Sequence, residues 1–389
     1  MTRFEAKRTR GIVQSDIRLM SRRCMEAGGV NLGQGICDLP TPEPVKRAAK
    51  AAIDADESIY SKYEGVDPLR ARIASKMAEY NRVPCDPDGE VLVTAGSTGA
   101  FVAAVLAFVE EGDEVVLFSP FYGYHYNVLR MAGPTIRSVT LRGDEWTFDP
   151  GELRAAFGER TKAVVVNTPA NPCGKVFTRD ELETIAGLCR EHDALAITDE
   201  IYEYILYDGR EHVSIASLPG MRERTITISG FSKTYNMTGW RLGYAVAPAE
   251  LAARMGVVSD LVYICAPTPL QHGVLAAFDL PPAYYEEMAR DYATKRAMLV
   301  EACDAVGLRS LPPQGSYYLM VDVRGAGLPD DRTAADVLLE RCGVAAVPGS
   351  SFHVDPADGR SQLRLCFAKR TPDLERACEG IRRLASVRA

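Results

Sequence analysis

Six short runs rich in valine, isoleucine and leucine recur along the chain, at 91–94, 115–118, 163–167, 195–198, 225–229 and 244–247, with amphipathic helical stretches between them. Strands buried on both faces read as continuous apolar runs of this kind. The alternation therefore predicts an α/β fold with a mostly parallel sheet between helical layers. Several runs end directly in polar or glycine residues, as in TAGST, SPFYG, NTPANPCG, TDEIY and SGFSK. Open α/β sheets bind ligands beyond the carboxyl ends of their strands, so a site is expected there.

From about Asp279 the texture changes. The pair Pro281 and Pro282 precedes a long charged helical stretch, and PPQGSYYLMVDV and GVAAVPGSSF then read as short strands with a helix between them. A large domain is expected over residues 41–280, with a smaller α+β domain formed by 281–389 together with the N-terminal segment 1–40. The apolar stretch 100–109 lies between Gly99 and the acidic EEGDE, is too short to span a bilayer, and is expected to be a buried helix.

Forty-five basic residues against fifty-two acidic ones give a net charge of -7, so no general basic field draws the chain to nucleic acid or an anionic membrane. The ten cysteines are scattered without a CxxC pair and read as reduced packing thiols. The start MTRFEAKRTR leads into polar residues, not an apolar signal region, and the expected location is the cytoplasm. His125, His192, His212, His272 and His353 show no HExxH or paired ligand spacing, so no metal is expected. NLGQG carries Gly33 and Gly35, but Asp38 stands where a dinucleotide fingerprint needs its third glycine. SGFSKT lacks the glycines of a phosphate loop, and AGSTGA is not a Gly-x-Ser-x-Gly elbow.

What remains at the strand ends is a lysine, an aspartate, an asparagine, tyrosines, an arginine and a cluster of hydroxyls. Pyridoxal phosphate requires such a set: an amine for its aldehyde, a carboxylate for its ring nitrogen, donors for its phenolic oxygen, and donors plus a cation for its phosphate. Taken singly, each residue has a plainer reading. A lysine is usually solvated, an aspartate or hydroxyl after a strand caps a helix, and an arginine in a half-buried strand forms a surface ion pair.

Taken in order, the motifs resemble the class I and II aminotransferases of the aspartate aminotransferase superfamily, the fold-type I pyridoxal phosphate enzymes, from about residue 30 to residue 367. SGFSKTYNMTGWRLGY is similar to the family's lysine motif, which implies that Lys233 is the Schiff-base lysine and Arg241 binds the phosphate. AITDEIYEYILYD is similar to the strand-end aspartate motif. It implies that Asp199 partners the pyridine nitrogen and that Tyr202 donates to the phenolic oxygen, beside Asn171 of NTPANPCG. By the same resemblance Ser97 and Thr98 bind the phosphate, Tyr122 stacks on the ring, and Arg364 of SQLRLCFA clamps the substrate α-carboxylate with Asn171 and the backbone at Gly35. Two positions depart from the pattern. Cys173 replaces a common threonine, and Gly230 replaces a phosphate-binding serine, for which Ser232 is the substitute donor. Tyr60 of SIYSKYEGVDPLR matches a tyrosine that reaches the neighbouring subunit's phosphate, implying a homodimer with composite sites.

The resemblance implies a transaminase of amino acid metabolism, exchanging an amino group between an L-amino acid and a 2-oxo acid by a ping-pong mechanism, with Lys233, Asp199 and Tyr202 catalytic. A lyase or cyclase using the same cofactor pocket is the alternative. For a side-chain carboxylate, Arg18, Lys62 and Arg137 are candidates by charge alone. Tyr63, Tyr122, Tyr263 and Ile36 point to neutral or aromatic side chains, with 2-oxoglutarate or pyruvate as acceptors.

Overall fold

The protein is described by a computed structural model for residues 4–12 and 14–387. Its strands are, in chain order, β1 (Val30–Asn31), β2 (Val91–Thr94), β3 (Glu114–Ser119), β4 (Thr135–Thr140), β5 (Thr161–Asn167), β6 (Leu195–Asp199), β7 (Thr225–Gly230), β8 (Gly243–Val246), β9 (Arg309–Leu311), β10 (Tyr318–Asp322), β11 (Val344–Ala345), β12 (Val347–Pro348) and β13 (Gln362–Cys366). Seven of them form one sheet in the order β2-β8-β7-β6-β5-β3-β4. The five strands β4, β3, β5, β6 and β7 pair in parallel, while β8 runs antiparallel to both β2 and β7.

Alternation along β5 shows why its run is apolar throughout. Ala163 and Val165 enter one buried cluster with Phe101 and Met255, whereas Val164 and Val166 enter another with Leu182 and Ile185. Helices Gly96–Phe108 and Ala249–Tyr263 cover the first face and Arg179–Glu191 the second. The last of these starts at a capping box, with the Thr178 side chain accepting from the Glu181 backbone and the Glu181 side chain accepting in return. It buries Leu182, Ile185, Ala186 and Cys189 on one helical stripe.

A second sheet, β12-β13-β10-β9, is antiparallel, and β1 pairs in parallel with β11 through Val30 and Val344. Met20 and Cys24 of helix Asp16–Glu26 share a buried cluster with Tyr292 and Leu299 of helix Pro282–Asp304 and with Leu363 and Leu365 of β13. The N-terminal segment therefore packs on the C-terminal part of the chain. Ile201, Tyr202 and Ile205, which follow β6, reach the same cluster and tie it to the main sheet. All ten cysteines are free thiols. Among the described residues no helix is long and apolar enough to cross a membrane.

Candidate active site

A cavity of about 410 Å³ opens at the carboxyl ends of β5, β6 and β7. Every residue expected to hold the cofactor or the substrate α-carboxylate lines it except Tyr60, which is 75% exposed on the surface.

At one end the backbone forms a cradle. Gly96, at φ +76°, opens helix Gly96–Phe108, and Ser97 and Thr98 occupy its first turn, where helical N–H groups have no internal partners. A Cβ on Gly96 would lie 2.5 Å from Arg241 Nη2, and one on Gly243 would collide with the Ser97 nitrogen. These glycines let strand, helix and guanidinium converge. Arg241 itself is left-handed, at φ 55°, directly after the turn Thr238–Trp240, and its Nη1 donates to the Thr238 carbonyl at 2.9 Å. Ser232 adds a buried hydroxyl. The departure at Gly230 has a steric cause: a Cβ there would come within 2.8 Å of Gly243 Cα and 3.1 Å of the Leu242 carbonyl.

In the middle, burial pushes the Lys233 ammonium down to about 8, and the nearby Arg241 adds to the effect while Cys366, Cys37 and Asp199 oppose it. Its Nζ lies 5.7 Å from the ring centre of Tyr202 and 5.8 Å from that of Tyr317. Asp199 ends β6, and its Oδ2 lies 3.0 Å from His125 Nε2 while its Oδ1 accepts from the Ile201 backbone at 3.2 Å. His125 is buried, 4.3 Å from the Phe101 ring centre and edge-on to Tyr122 at 5.1 Å. It orients the aspartate, a role that sequence spacing did not reveal. The Tyr202 and Tyr318 hydroxyls are 3.1 Å apart.

At the far end Arg364, fully buried on β13, donates through Nη1 to Asn171 Oδ1 at 2.8 Å and through Nη2 to the Gly33 carbonyl at 2.5 Å. Its guanidinium sits 4.4 Å from the ring centre of Tyr318 and 4.8 Å from that of Phe352. Among the described residues it has no acidic partner, and its Nε has no hydrogen bond. This excludes the surface ion pair considered for it. Gly35 is required by proximity, because a Cβ there would overlap the Tyr318 hydroxyl.

Two expectations about the substrate pocket are corrected. Tyr63 and Tyr263 do not line this cavity: Tyr63 packs against Gly256, and Tyr263 donates to Ser259 at 3.1 Å. Cys173 is buried among apolar residues off the cavity, its thiol pushed up to about 12 by burial. His212 forms, with Glu200 and Glu203, a group of metal-ligand spacing. Those acids already hold Lys76 at 2.6 Å from Glu203 and the Ser214 hydroxyl at 2.9 Å from Glu200.

The fold and cavity define an enzyme of the aspartate aminotransferase type. A model of the family described as aminotransferase class I and II matches residues 27–381. Kynurenine–oxoglutarate transaminase 3 from Mus musculus is 34% identical over 407 residues, covering 96% of this chain and 89% of the relative. An aspartate aminotransferase from Pyrococcus abyssi (strain GE5 / Orsay) is 35% identical over 353 residues, covering 90% of each. The solved structure of N-succinyldiaminopimelate aminotransferase from Mycobacterium tuberculosis superposes with a TM-score of 0.94 at 35% identity, over 98% of this chain and all of that one, 100%. The chain belongs to the class I and II aminotransferases. It is a transaminase, moving an amino group between an amino acid and a 2-oxo acid, in a family that generally depends on pyridoxal phosphate. The donor set fits that cofactor: a cradle that a Cβ would fill, a buried amine of depressed basicity, an oriented carboxylate and a buried guanidinium with no acidic partner among the described residues.

Proposed function

We propose that this protein holds pyridoxal phosphate in the 410 Å³ cavity and exchanges amino groups by a ping-pong mechanism. The observation that carries this reading is Arg364, a fully buried cation without an acid partner among the described residues, lining the same cavity as the Lys233 amine. A buried charge of this kind calls for an anion, and an arginine fork binds a carboxylate through two parallel bonds.

When bound, the cofactor supplies an aldehyde that reacts with amines and a ring that draws electrons from the substrate α-carbon. Ser97, Thr98, Ser232 and Arg241 hold its phosphate, and Tyr122 covers a ring face. Asp199, fixed by His125, presents a carboxylate to the ring nitrogen, while Asn171 and Tyr202 face the phenolic oxygen. Arg364, with Asn171 and the Gly35 backbone, orients the substrate by its α-carboxylate. The depressed Lys233 amine is substantially neutral near pH 8, so its Nζ takes a proton from the α-carbon without prior deprotonation by solvent.

The donors that fit the walls made by Ile17, Ile36, Tyr122 and Tyr124 are neutral or aromatic amino acids. We propose further that the working unit is a homodimer in which Tyr60 completes the partner's phosphate site, and that the chain divides into a domain of residues 41–280 and one of 1–40 with 281–389. Ten free thiols fit a reducing cytoplasm.

Protein supplied with pyridoxal phosphate should turn yellow, and borohydride should fix the label on Lys233 as read by peptide mass. Lys233→Ala should lose label and turnover together. An amino acid alone should bleach the chromophore in one turnover. Absence of a fixed label at Lys233 would overturn the reading, and release of ammonia without an oxo acid would assign elimination instead.

A further inference from the structure

Lys233 sits in a tight reversal of the chain, closed by the Tyr235 N–H on the Phe231 carbonyl at 3.1 Å and the Met237 N–H on the Ser232 carbonyl at 3.1 Å. Three residues beyond the lysine, Asn236 is left-handed at φ 53°, a conformation that asparagine tolerates better than most residues. One segment of the chain binds three of its polar groups. Cys37 Sγ donates to Asn236 Oδ1 at 2.7 Å, Asn236 Nδ2 donates to the Pro40 carbonyl at 3.3 Å, and Thr41 Oγ1 donates to the Asn236 carbonyl at 3.0 Å. The Pro40 carbonyl can only accept, which fixes the amide with Oδ1 toward Cys37. A thiol has one hydrogen to give, so the buried Tyr292 hydroxyl, 3.2 Å from Cys37 Sγ, donates to it.

We propose that Asn236, clasped by Cys37, Pro40 and Thr41, is a positioning residue that sets Lys233 against the substrate held at Arg364. The inference rests on the reading that Lys233 takes the α-proton and Arg364 the α-carboxylate.

The segment that forms the clasp also builds the carboxylate end of the cavity. The Gly33 carbonyl accepts from Arg364, and the Gly35 carbonyl accepts from the Tyr317 hydroxyl at 3.3 Å. Lys369 holds the next stretch, donating to the Ile36 carbonyl at 3.2 Å and pairing with Asp38 at 3.1 Å. A segment pinned at the substrate's carboxylate therefore grips the loop that carries the substrate's base. Cys37 lies close enough to Lys233 to act on its charge. From the far side Tyr284 Oη donates to the Thr234 carbonyl at 2.6 Å. A shift at Asn236 reaches Lys233 through a closed turn of three residues, and a misplacement of about 1 Å at a reacting group costs up to about 100-fold in rate.

The test uses cofactor-loaded enzyme and a neutral amino acid that the wild type turns over, and follows bleaching of the chromophore in one turnover. Asn236→Gly keeps the left-handed backbone and removes both side-chain contacts. Its rate at saturating amino acid should fall about ten-fold, while the half-saturating concentration changes by less than about two-fold. Cys37→Ala should lose about three-fold of the same rate, and Cys37→Ser, which still donates, should recover most of it. The pH at which the bound cofactor changes colour should move in Asn236→Gly and Cys37→Ala and return in Cys37→Ser. A clasp that only stabilised the fold would lower Tm and leave rate and colour alone. An unchanged saturating rate in either variant, a loss confined to the half-saturating concentration, or an equal loss in Cys37→Ser and Cys37→Ala would overturn the proposal. Should Asn236→Gly fail to fold, the two Cys37 variants decide. Borohydride labelling separates the two levels: a labelled wild type whose variants keep its rate sinks the clasp alone, whereas an unlabelled wild type sinks the site reading and the clasp with it.

Discussion

Burial separates Lys233 from the surface lysines of the chain, and its effect has a definite sign. An ammonium that loses its water without gaining a close carboxylate is destabilised, so the neutral amine prevails from about pH 8 upward. Imine formation needs that neutral form. In cofactor-stripped protein, the rate of pyridoxal phosphate capture followed by absorbance should rise with pH through about 8 and level off above it. An unperturbed lysine would keep accelerating toward a pKa of about 10.4, and that profile would contradict the burial argument. The lysine and Asp199 were legible because each follows an apolar strand within a recognisable motif. His125 was not, because its partner Asp199 lies 74 residues away across the sheet, and an imidazole carries no local sign of what it will face. The acid-free environment of Arg364 was equally hidden, since it depends on which side chains three distant segments bring near.

The phosphate cradle is a property of elements meeting, not of single side chains. Gly230 and Gly243 are register partners on β7 and β8, and Gly243 also lies against Gly96 and Ser97 at the mouth of helix Gly96–Phe108. Gly243→Ala pushes a methyl into backbone on that side, which cannot rotate away, unlike the end of a flexible side chain. It should cost about 1–3 kcal/mol of stability by overpacking, read as a lower urea midpoint, and weaken cofactor affinity by more than ten-fold in equilibrium titration. A variant with native affinity would show that the cradle tolerates displacement. The central strands were readable as runs because both faces are buried. Strand β4, TIRSVT, was missed: it is the sheet edge, where Thr135 and Arg137 are exposed, Ile136, Ser138 and Thr140 are half-buried, and only Val139 is buried, so no continuous apolar run marks it. The antiparallel direction of β8 was also invisible, because an apolar run carries no record of which way it enters the sheet.

At the scale of the whole molecule the most exposed apolar residues are not scattered evenly. Helix Ala249–Tyr263 leaves Val257 54%, Val262 58% and Leu261 81% exposed, and the surface segment before helix Asp67–Glu79 leaves Ile59 77% and Tyr60 75% exposed. The two regions are joined, since Thr268 Oγ1, beyond the end of that helix, donates to the Ile59 carbonyl at 2.8 Å. Val262 and Tyr263 also line a second cavity of about 230 Å³ whose wall includes Thr98 and Arg241 of the cradle. Apolar surface gathered in this way fits the proposed dimer, and in that assembly its position beside the phosphate end would bring a tyrosine of the second copy to the donor set. Two variants separate assembly from contact. Leu261→Glu places a charge in the patch and should shift sedimentation from dimer to monomer while weakening cofactor binding. Tyr60→Phe removes only a hydroxyl and should keep the dimer while lowering cofactor affinity several-fold. A monomeric Leu261→Glu protein that binds the cofactor as tightly as the wild type would leave the cradle self-sufficient within one chain, and the composite site would be wrong.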